Sequence, residues 1–243
     1  MNIMVIIQAR TGSTRLPGKV LKDLCGKPVL QHVVERLKHS LLISEIVIAT
    51  TDLPEDDIIE KFCIEHSIKY YRGSSENVLS RYYGAAKEYN AETVIRITSD
   101  CPVIDPALID RMIAEYEKSG ADYMSNSLIR TYPRGLDAEI FSFAALEKAF
   151  NEAVKQYELE HVTPYIYQHP EKFSLKNYAG SRDYSFHRWT LDTEEDYELI
   201  LEIYKALYKE NELFLWKDIL ELFELKPELI EINKNIEQKK LSG

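Results

Sequence analysis

The chain begins with MNIMVIIQARTGSTRLPGK (residues 1–19), and this stretch decides the expected fold. Its apolar part, IMVII (3–7), is typical of a β-strand that is covered on both faces. The loop that follows, QARTGSTRLPGK (8–19), holds three cations, three hydroxyls and two glycines, and it contains no acid. Ligands of parallel sheets bind where the strands end, so this loop is predicted to lie at a binding site.

The residue types of the loop favour an anion, and specifically phosphate. Arg10, Arg15 and Lys19 supply positive charge, and the hydroxyls and backbone N–H groups can donate to phosphate oxygens. The pattern is neither GxGxxG nor GxxxxGK[ST], so it predicts a phosphate loop of a third kind. The alternative is a solvated loop whose arginines pair with nearby carboxylates.

Strands and helices alternate outward from this loop over the first 125 residues. Further strands are predicted at 45–51, 69–73, 93–100 and 122–126, and helices from Pro28, over 54–66, from Ser74 or Ser75 to about Tyr89, and from Pro106 to about Ser119. Such alternation is typical of a doubly wound, mostly parallel α/β sheet.

The pattern loosens after residue 126. We predict a single domain over 1–243, with a core (1–126), a smaller appended lobe (127–190) and a helical C-terminal part (191–243). Within the last two parts the sequence predicts strands at 138–143 and 173–179, and helices over 158–168 and 194–209.

Composition narrows the class of protein. A net charge of −10 argues against a nucleic-acid partner, which needs a basic face, but it permits a local anion pocket. No apolar run approaches 18 residues, so no membrane-spanning helix is expected. The three cysteines are odd in number and form no CxxC pair, which fits a reducing cytoplasm.

Four segments carry a family resemblance. ARTGSTRLPGKVLKDLCGKPVLQHVVERL (9–37) resembles the opening of the CMP-sugar synthetases, the cytidylyltransferases that activate Kdo and sialic-type acids. RITSDCPVIDP (96–106), EHVTPYIY (160–167) and RWTLDTEEDYELI (188–200) resemble the branch of the spore coat polysaccharide biosynthesis protein F. The matching segments run from about residue 2 to about residue 210.

The resemblance implies a GT-A-like nucleotidyltransferase fold, a homodimer, and transfer of CMP from CTP to a sugar with release of pyrophosphate and with Mg²⁺. It makes 1–126 the nucleotide-binding core and 127–190 the lobe for sugar binding or dimerisation. It implies catalytic roles for Arg10, Arg15, Lys19 and Asp100, and it makes Asp100 and Asp192 the metal ligands. The nucleotide contacts that it implies are Ala9, Arg10, Thr11, Gly12, Ser13, Arg15, Lys19, Arg72 and Arg81.

The residues themselves leave alternatives open for both acids. Asp100 could cap a turn before Pro102, and Asp192 could be the N-cap of the 194–209 helix. Cys101 beside Asp100 is interpreted as a buried thiol, because the proposed transfer needs no covalent intermediate.

The sugar pocket is predicted from less specific signals. The candidates are Arg134, Asp137 and Glu139 in YPRGLDAEIF (132–141), together with His161 and Arg188. The alternatives are a hairpin turn for 132–141 and a structural role for the histidine. TSDCP (98–102) stands where the Kdo enzymes carry QGDEPL, so the identity of the sugar does not follow from the resemblance.

Two rival functions share parts of this pattern. A GT-A-type glycosyltransferase that consumes a nucleotide-sugar would normally carry a DxD triplet, and SDCP (99–102) lacks one. A non-catalytic nucleotide-sugar-binding protein could keep the fold while losing the metal acids, and the presence of both acids and all three loop cations argues against it.

Overall fold

The computed structural model describes residues 2–238. Seven strands form one sheet in the order β5-β4-β1-β6-β8-β7-β9. A separate two-stranded hairpin pairs β2 with β3. The strands are β1 (Ile3–Gln8), β2 (Asp23–Leu24), β3 (Lys27–Pro28), β4 (Glu45–Thr51), β5 (Lys69–Gly73), β6 (Thr93–Thr98), β7 (Tyr123–Ser125), β8 (Glu139–Ser142) and β9 (Leu175–Asn177).

Helices cover both faces of the seven-stranded sheet. They are α1 (Val29–Leu37), α2 (Asp57–Glu65), α3 (Val78–Glu88), α4 (Pro106–Ser119), α5 (Phe143–Glu152), α6 (Gln156–His161), α7 (Pro164–Tyr167), α8 (Glu194–Leu207) and α9 (Trp216–Leu225). Strands β5, β4, β1 and β6 are parallel, and β8 runs antiparallel to both β6 and β7. The predicted α/β class with a mostly parallel, doubly wound sheet is therefore confirmed.

The central strand β1 explains why the sheet is covered on both faces. Val5 and Ile7 belong to one hydrophobic cluster, and Met4 and Ile6 belong to another on the opposite face. All four side chains are fully buried. Because successive side chains of a strand point to opposite faces, a continuous apolar run needs a layer of helices on each side.

Helix starts follow their capping residues. The Asp105 side chain accepts a hydrogen bond from the Leu108 N–H (2.8 Å), so α4 begins at Pro106 as predicted. The predicted Ser74 or Ser75 cap is wrong, because Asn77 caps α3. Ser74 instead accepts from the Asn77 N–H (3.0 Å) and closes the turn before the helix.

The segment 127–190 does not fold apart from the core. Its strand β8 lies inside the sheet, between β6 and β7, and β9 forms the edge beside β7. Helices α5 and α6 contact α3 of the core. The central sheet thus crosses the predicted boundary at residue 126, so the segments on its two sides share one sheet. The sugar-binding and dimerisation roles of 127–190 stay predictions.

The helix predicted over 158–168 is interrupted. Val162, with φ of +73°, ends α6, and Pro164 opens α7. The C-terminal part carries α8 and α9, and the predicted helix over 194–209 ends at Leu207. Residues 239–243 of the predicted C-terminal part lie outside the described residues. Across positions 2–238, no helix has the length and apolar composition that a bilayer span requires.

One buried histidine links the stability of the fold to pH. The His187 ring packs 5.3 Å from the rings of both Trp189 and Phe223, and burial lowers its pKa from 6.5 to about 4. The unfolded chain takes up a proton at His187 below its ordinary pKa, whereas the folded chain does not until about pH 4. The stabilisation from neutral His187 is therefore present above pH 6.5 and lost as pH falls to about 4.

We predict that His187→Gln is less stable than the wild type at pH 7, and that the difference narrows between pH 6.5 and about 4 because glutamine does not titrate. Urea unfolding of both proteins across this range measures the difference in free energy. A difference that stays constant with pH would contradict the assignment.

Candidate active site

Three distant segments meet at the carboxyl edge of the sheet. Strands β1 and β6 are adjacent and in register (Gln8 opposite Thr98), so the first loop and Asp100 emerge side by side. The Leu191 N–H donates to the Asp100 carbonyl (2.9 Å), which places Asp192 beside Asp100. The acids are separated by 92 positions in the chain but share one site because of these two backbone contacts.

The ammonium of Lys19 lies between the two acids. Its Nζ donates to Asp100 Oδ2 (2.9 Å), to Asp192 Oδ1 (2.8 Å) and to the Leu191 carbonyl (2.9 Å). Burial opposes the charge of Lys19, but the two carboxylates outweigh it and raise its pKa. Burial also opposes ionisation of Asp100, but Lys19 and the Thr98 hydroxyl outweigh it and lower the pKa of Asp100.

Asp192 binds two further cations. Its Oδ2 lies 3.0 Å from Arg15 Nη2 and 3.1 Å from Arg188 Nη2. Arg15 and Lys19 therefore do pair with carboxylates, as the surface-loop alternative requires, but their partners are the two acids predicted to bind metal. Arg10 is exposed at the same site and has no ion-pair partner among residues 2–238.

The loop is held in place by a buried acid that the sequence analysis did not single out. Asp56 Oδ1 accepts from the Thr11 N–H (2.7 Å) and from the Thr11 hydroxyl (2.8 Å), and the Asp56 side chain is fully buried. A Cβ on Gly12 would lie 3.1 Å from the Glu55 carboxylate, and Gly18 has φ of +68°. Thr11 and Gly12 thus shape the loop, whereas other loop residues face the cavity.

A cavity of about 240 Å³ opens over this site. Of the predicted nucleotide contacts it is lined by Ala9, Arg10, Ser13, Arg15, Lys19 and Arg81, together with Asp100 and Asp192. Gln8, Thr14, Val78, Thr98, Ser99, Glu160 and His161 also line it and were not predicted as nucleotide contacts.

Arg72 and Arg81 differ in position. Arg72 lies outside the cavity lining and pairs with Asp57 and Glu60, so its guanidinium is held by α2 and away from the cavity, and its contact with a nucleotide stays a prediction. Arg81 lines the cavity while only 2% exposed. Its Nη1 donates to the Ser74 carbonyl (2.9 Å), and its Nε has no partner among residues 2–238. The Nε of Arg81 is therefore a buried donor without a partner among these residues, while the residue as a whole adds positive charge to the cavity lining.

A second, larger cavity of about 810 Å³ adjoins the first, and the two share Thr98 and His161. Arg134, Asp137, Glu139 and His161 of the predicted sugar pocket line it. The structure thus brings four of the five predicted sugar contacts together, next to the smaller cavity.

Most charges in the larger cavity are already paired. Arg96 forms an ion pair with Glu139, and Arg130 forms one with Asp137. Glu139 also accepts from the hydroxyl of Tyr123 (2.5 Å). Because the charges of each pair cancel, the net charge of the cavity depends on its other lining residues.

Arg134 is the cation of this cavity whose guanidinium has no hydrogen-bond partner within residues 2–238. Burial, together with the nearby Arg130 and Arg188, lowers its pKa. A Cβ on Gly135 (φ +100°) would lie 2.4 Å from the Trp189 carbonyl, so glycine permits this close approach. The hairpin alternative for 132–141 agrees with the structure, because this segment lies in and after the connection between the antiparallel strands β7 and β8, and the Leu136 N–H donates to the Pro133 carbonyl (3.3 Å) to close a turn. Residue 134 also forms a parallel bridge with residue 188.

The predicted sugar contact Arg188 has a different position. It is buried, and it binds Asp196 through Nε and Nη2, each at 2.8 Å, while it also contacts Asp192. Asn233 donates to Asp196 Oδ1 (2.8 Å) from the C-terminal segment. Arg188 therefore orients Asp192 and does not line the larger cavity.

The alternatives for the two acids are settled by their contacts. Thr193, and not Asp192, caps α8, since its side chain accepts from the Asp196 N–H (3.2 Å). The side chain of Asp100 binds Lys19 and Thr98, so it faces the site. Burial and the charge of Asp100 raise the pKa of the Cys101 thiol well above its usual range, which agrees with a buried, unreactive thiol.

The donor chemistry fits a hard divalent cation. No group of three or more His, Cys, Asp and Glu side chains that could hold a metal occurs in the part of the chain that the structure describes. The two carboxylates and the Leu191 carbonyl nevertheless surround one positive charge with oxygens. Mg²⁺ prefers oxygen ligands and takes the remaining ones from water and phosphate.

A model of the cytidylyltransferase family matches residues 4–223. The chain belongs to the cytidylyltransferase family. It is accordingly a nucleotidyltransferase.

Relatives of this cytidylyltransferase agree with the match. The spore coat polysaccharide biosynthesis protein SpsF of Bacillus subtilis is 37% identical over 215 residues, 86% of this chain and 87% of that protein. The 3-deoxy-manno-octulosonate cytidylyltransferase of Geobacter sulfurreducens is 38% identical over 133 residues, 54% of this chain and 52% of that protein. A solved cytidylyltransferase from Leptospira borgpetersenii serovar Hardjo-bovis has a TM-score of 0.90 and 35% identity, covering 99% of this chain and 100% of that chain.

We predict that Asp196→Asn lowers the stability of this cytidylyltransferase by about 3 kcal/mol, because Arg188 would keep a buried charge without its full partner. Urea unfolding measures the loss. The exposed neighbour Glu195→Gln is the matched control and should change stability by less than about 0.5 kcal/mol. Equal effects of the two substitutions would contradict the role given to Asp196.

Proposed function

We propose that this protein transfers CMP from CTP to a sugar acid, or to another modified sugar with an anionic group, and releases pyrophosphate. The observation that carries the proposal is the pair of adjoining cavities, one rich in loop cations and the other holding Arg134, which meet at Thr98 and His161. The family match and the names of the relatives support the same reaction. We further propose a homodimer that serves surface or spore coat polysaccharide synthesis in the cytoplasm.

The smaller cavity takes the nucleotide in this proposal. Arg10, Arg15 and Lys19 bind the triphosphate, and Ala9 and Ser13 bring the loop backbone close to it. Arg81 adds positive charge to the lining of the same cavity. The sugar hydroxyl oxygen bonds to the α-phosphorus while the bond to the bridging oxygen breaks, and pyrophosphate leaves with that electron pair. The cations act by neutralising the negative charge that grows on the phosphates.

Asp100 and Asp192 would hold Mg²⁺ in this site, assisted by the oxygens that surround Lys19. A bound magnesium ion supplies charge neutralisation at the phosphates. Arg188 and Asp196 hold Asp192 in place, because Arg188 Nη2 binds the Oδ2 that Lys19 does not bind, and Asp196 Oδ2 accepts from the Asp192 N–H (3.0 Å).

The larger cavity takes the sugar. Arg134 would bind an anionic group of the sugar, since its guanidinium lacks a protein partner among the described residues. Asp137 and Glu139 are tied to arginines and line the pocket as acceptors for sugar hydroxyls. Burial lowers the pKa of His161, so its neutral ring can form hydrogen bonds where the two substrates meet.

The reaction is tested by pyrophosphate release with CTP, Mg²⁺ and a panel of acidic and neutral sugars. We expect release with an acidic sugar, and we expect Asp100→Asn to weaken the response to Mg²⁺. An unchanged magnesium titration would remove Asp100 from the metal site. Turnover of a UDP-sugar without pyrophosphate release would instead indicate a GT-A-type glycosyltransferase, and tight binding without any turnover a nucleotide-sugar-binding protein.

We predict that Arg134→Gln raises the KM for the acidic sugar by about tenfold or more and leaves the KM for CTP near the wild-type value, because it removes one charge-assisted hydrogen bond. Steady-state kinetics with each substrate varied in turn give both values. The exposed Arg182→Gln is the control and should change neither. Parallel increases in the KM for the sugar and the KM for CTP would argue against Arg134 as the residue that binds the anionic group of the sugar.

A further inference from the structure

The three N–H bonds of the Lys19 ammonium are all used, and each ends on an oxygen at 2.8–2.9 Å: Asp100 Oδ2, Asp192 Oδ1 and the Leu191 carbonyl. The Lys19 side chain is only 11% exposed. Lys19 is therefore bound as a cation inside an oxygen cage, and we name this cage of Asp100, Asp192 and Leu191 the acid cage.

The acid cage cannot hold Lys19 and a divalent cation together. The other oxygen of each carboxylate is already bound, Asp100 Oδ1 by the Thr98 hydroxyl (2.5 Å) and Asp192 Oδ2 by Arg15 and Arg188 (3.0 and 3.1 Å). A hard divalent ion is therefore left with the oxygens that accept from Lys19, and it needs them at about 2.0–2.6 Å. Two positive charges inside one cage would also repel each other at short range. Any ion that binds Asp100 and Asp192 together must first displace the ammonium.

When a nucleotide is present, Lys19 can bind its phosphates instead of the two carboxylates. It lines the same cavity as Arg10, Ser13 and Arg15, where phosphates would lie. Its ammonium sits on a flexible four-carbon stem, so it can change partners without movement of the backbone. A phosphate chain would replace the carboxylates as the anionic partner of Lys19.

We propose that Lys19 is the resident cation of the acid cage in the nucleotide-free protein, and that it exchanges places with a divalent cation as the nucleotide binds. This inference rests on the proposed metal-dependent nucleotidyl transfer. Its consequence is an order of binding: the divalent ion binds the free protein weakly, and it binds well only once phosphates have drawn Lys19 away. Lys19 thereby couples occupancy of the metal site to occupancy of the nucleotide site.

The test is direct titration of the nucleotide-free protein with Mn²⁺, with free Mn²⁺ followed by electron paramagnetic resonance. We expect Lys19→Gln to bind one Mn²⁺ at least about tenfold more tightly than the wild type, because the competing charge is gone. Equal Mn²⁺ affinities of the two proteins would overturn the proposal.

Two further variants locate the effect. Lys22→Gln removes a lysine of the same segment that pairs with Glu194 outside the acid cage (2.7 Å), and it should keep the weak Mn²⁺ affinity of the wild type. The double variant Lys19→Gln/Asp192→Asn should lose the affinity that Lys19→Gln gains. A gain in Lys22→Gln, or a gain that survives in the double variant, would place the ion elsewhere and overturn the proposal.

A measurement on the wild-type protein keeps the proposal testable if Lys19→Gln does not fold. Rising Mn²⁺ should free the Lys19 amine and increase its rate of acetylation, measured by mass spectrometry against Lys22 in the same sample. Mn²⁺ that binds without any change in Lys19 acetylation would overturn the exchange.

These outcomes are distinct from failure of the proposed function. If Lys19→Gln gains no Mn²⁺ site while the wild type releases pyrophosphate from CTP, the exchange is wrong and the function stands. If the Mn²⁺ site appears but no nucleotide turns over with any sugar, the exchange stands and the function is wrong.

Discussion

The arrangement of the site depends on one interaction, the ammonium of Lys19 shared between Asp100 and Asp192. It joins the first loop, the end of β6 and the segment before α8, which are remote in the chain. Two carboxylates this close together would repel each other and be costly to bury without a cation between them. In the nucleotide-free protein, the lysine satisfies that requirement.

The rest of the site supports this cluster from behind. Arg188 binds Asp196 and Asp192 together, and Asn233 fastens Asp196 to the C-terminal segment. On the other side, buried Asp56 holds Thr11 and so sets the path of the loop. These residues can contribute to the function of the site without contacting a substrate. Side chains that bind phosphate or metal act only when they are held in place.

The two adjoining cavities support the proposal that one site takes two unlike substrates. In the nucleotide cavity, the loop cations are either accessible or paired with acids that a metal ion can bind in their place. The larger cavity pairs its arginines with Asp137 and Glu139 and leaves Arg134 without such a partner among the described residues. Paired charges shape a pocket at low electrostatic cost, whereas a half-buried cation without a partner favours an anionic ligand.

The sequence by itself determined the seven strands of the central sheet, most helices, the class of sheet and the loop whose cations line the smaller cavity, because these depend on local periodicity and on residues close together in the chain. It did not predict the hairpin of β2 and β3. Only the tertiary structure decided the roles of Arg72, Arg188 and Asp196. The sequence analysis predicts Arg72 and Arg188 as ligand contacts, but in the structure each is bound to carboxylates that folding brings close to it. The structure also decided that 127–190 shares the central sheet, since strand pairing between β6 and β8 joins residues 43 positions apart, as in Arg96 and Glu139. Ion pairs and strand order depend on contacts between residues that are distant in the chain. Local sequence patterns carry little information about which residues or strands become partners.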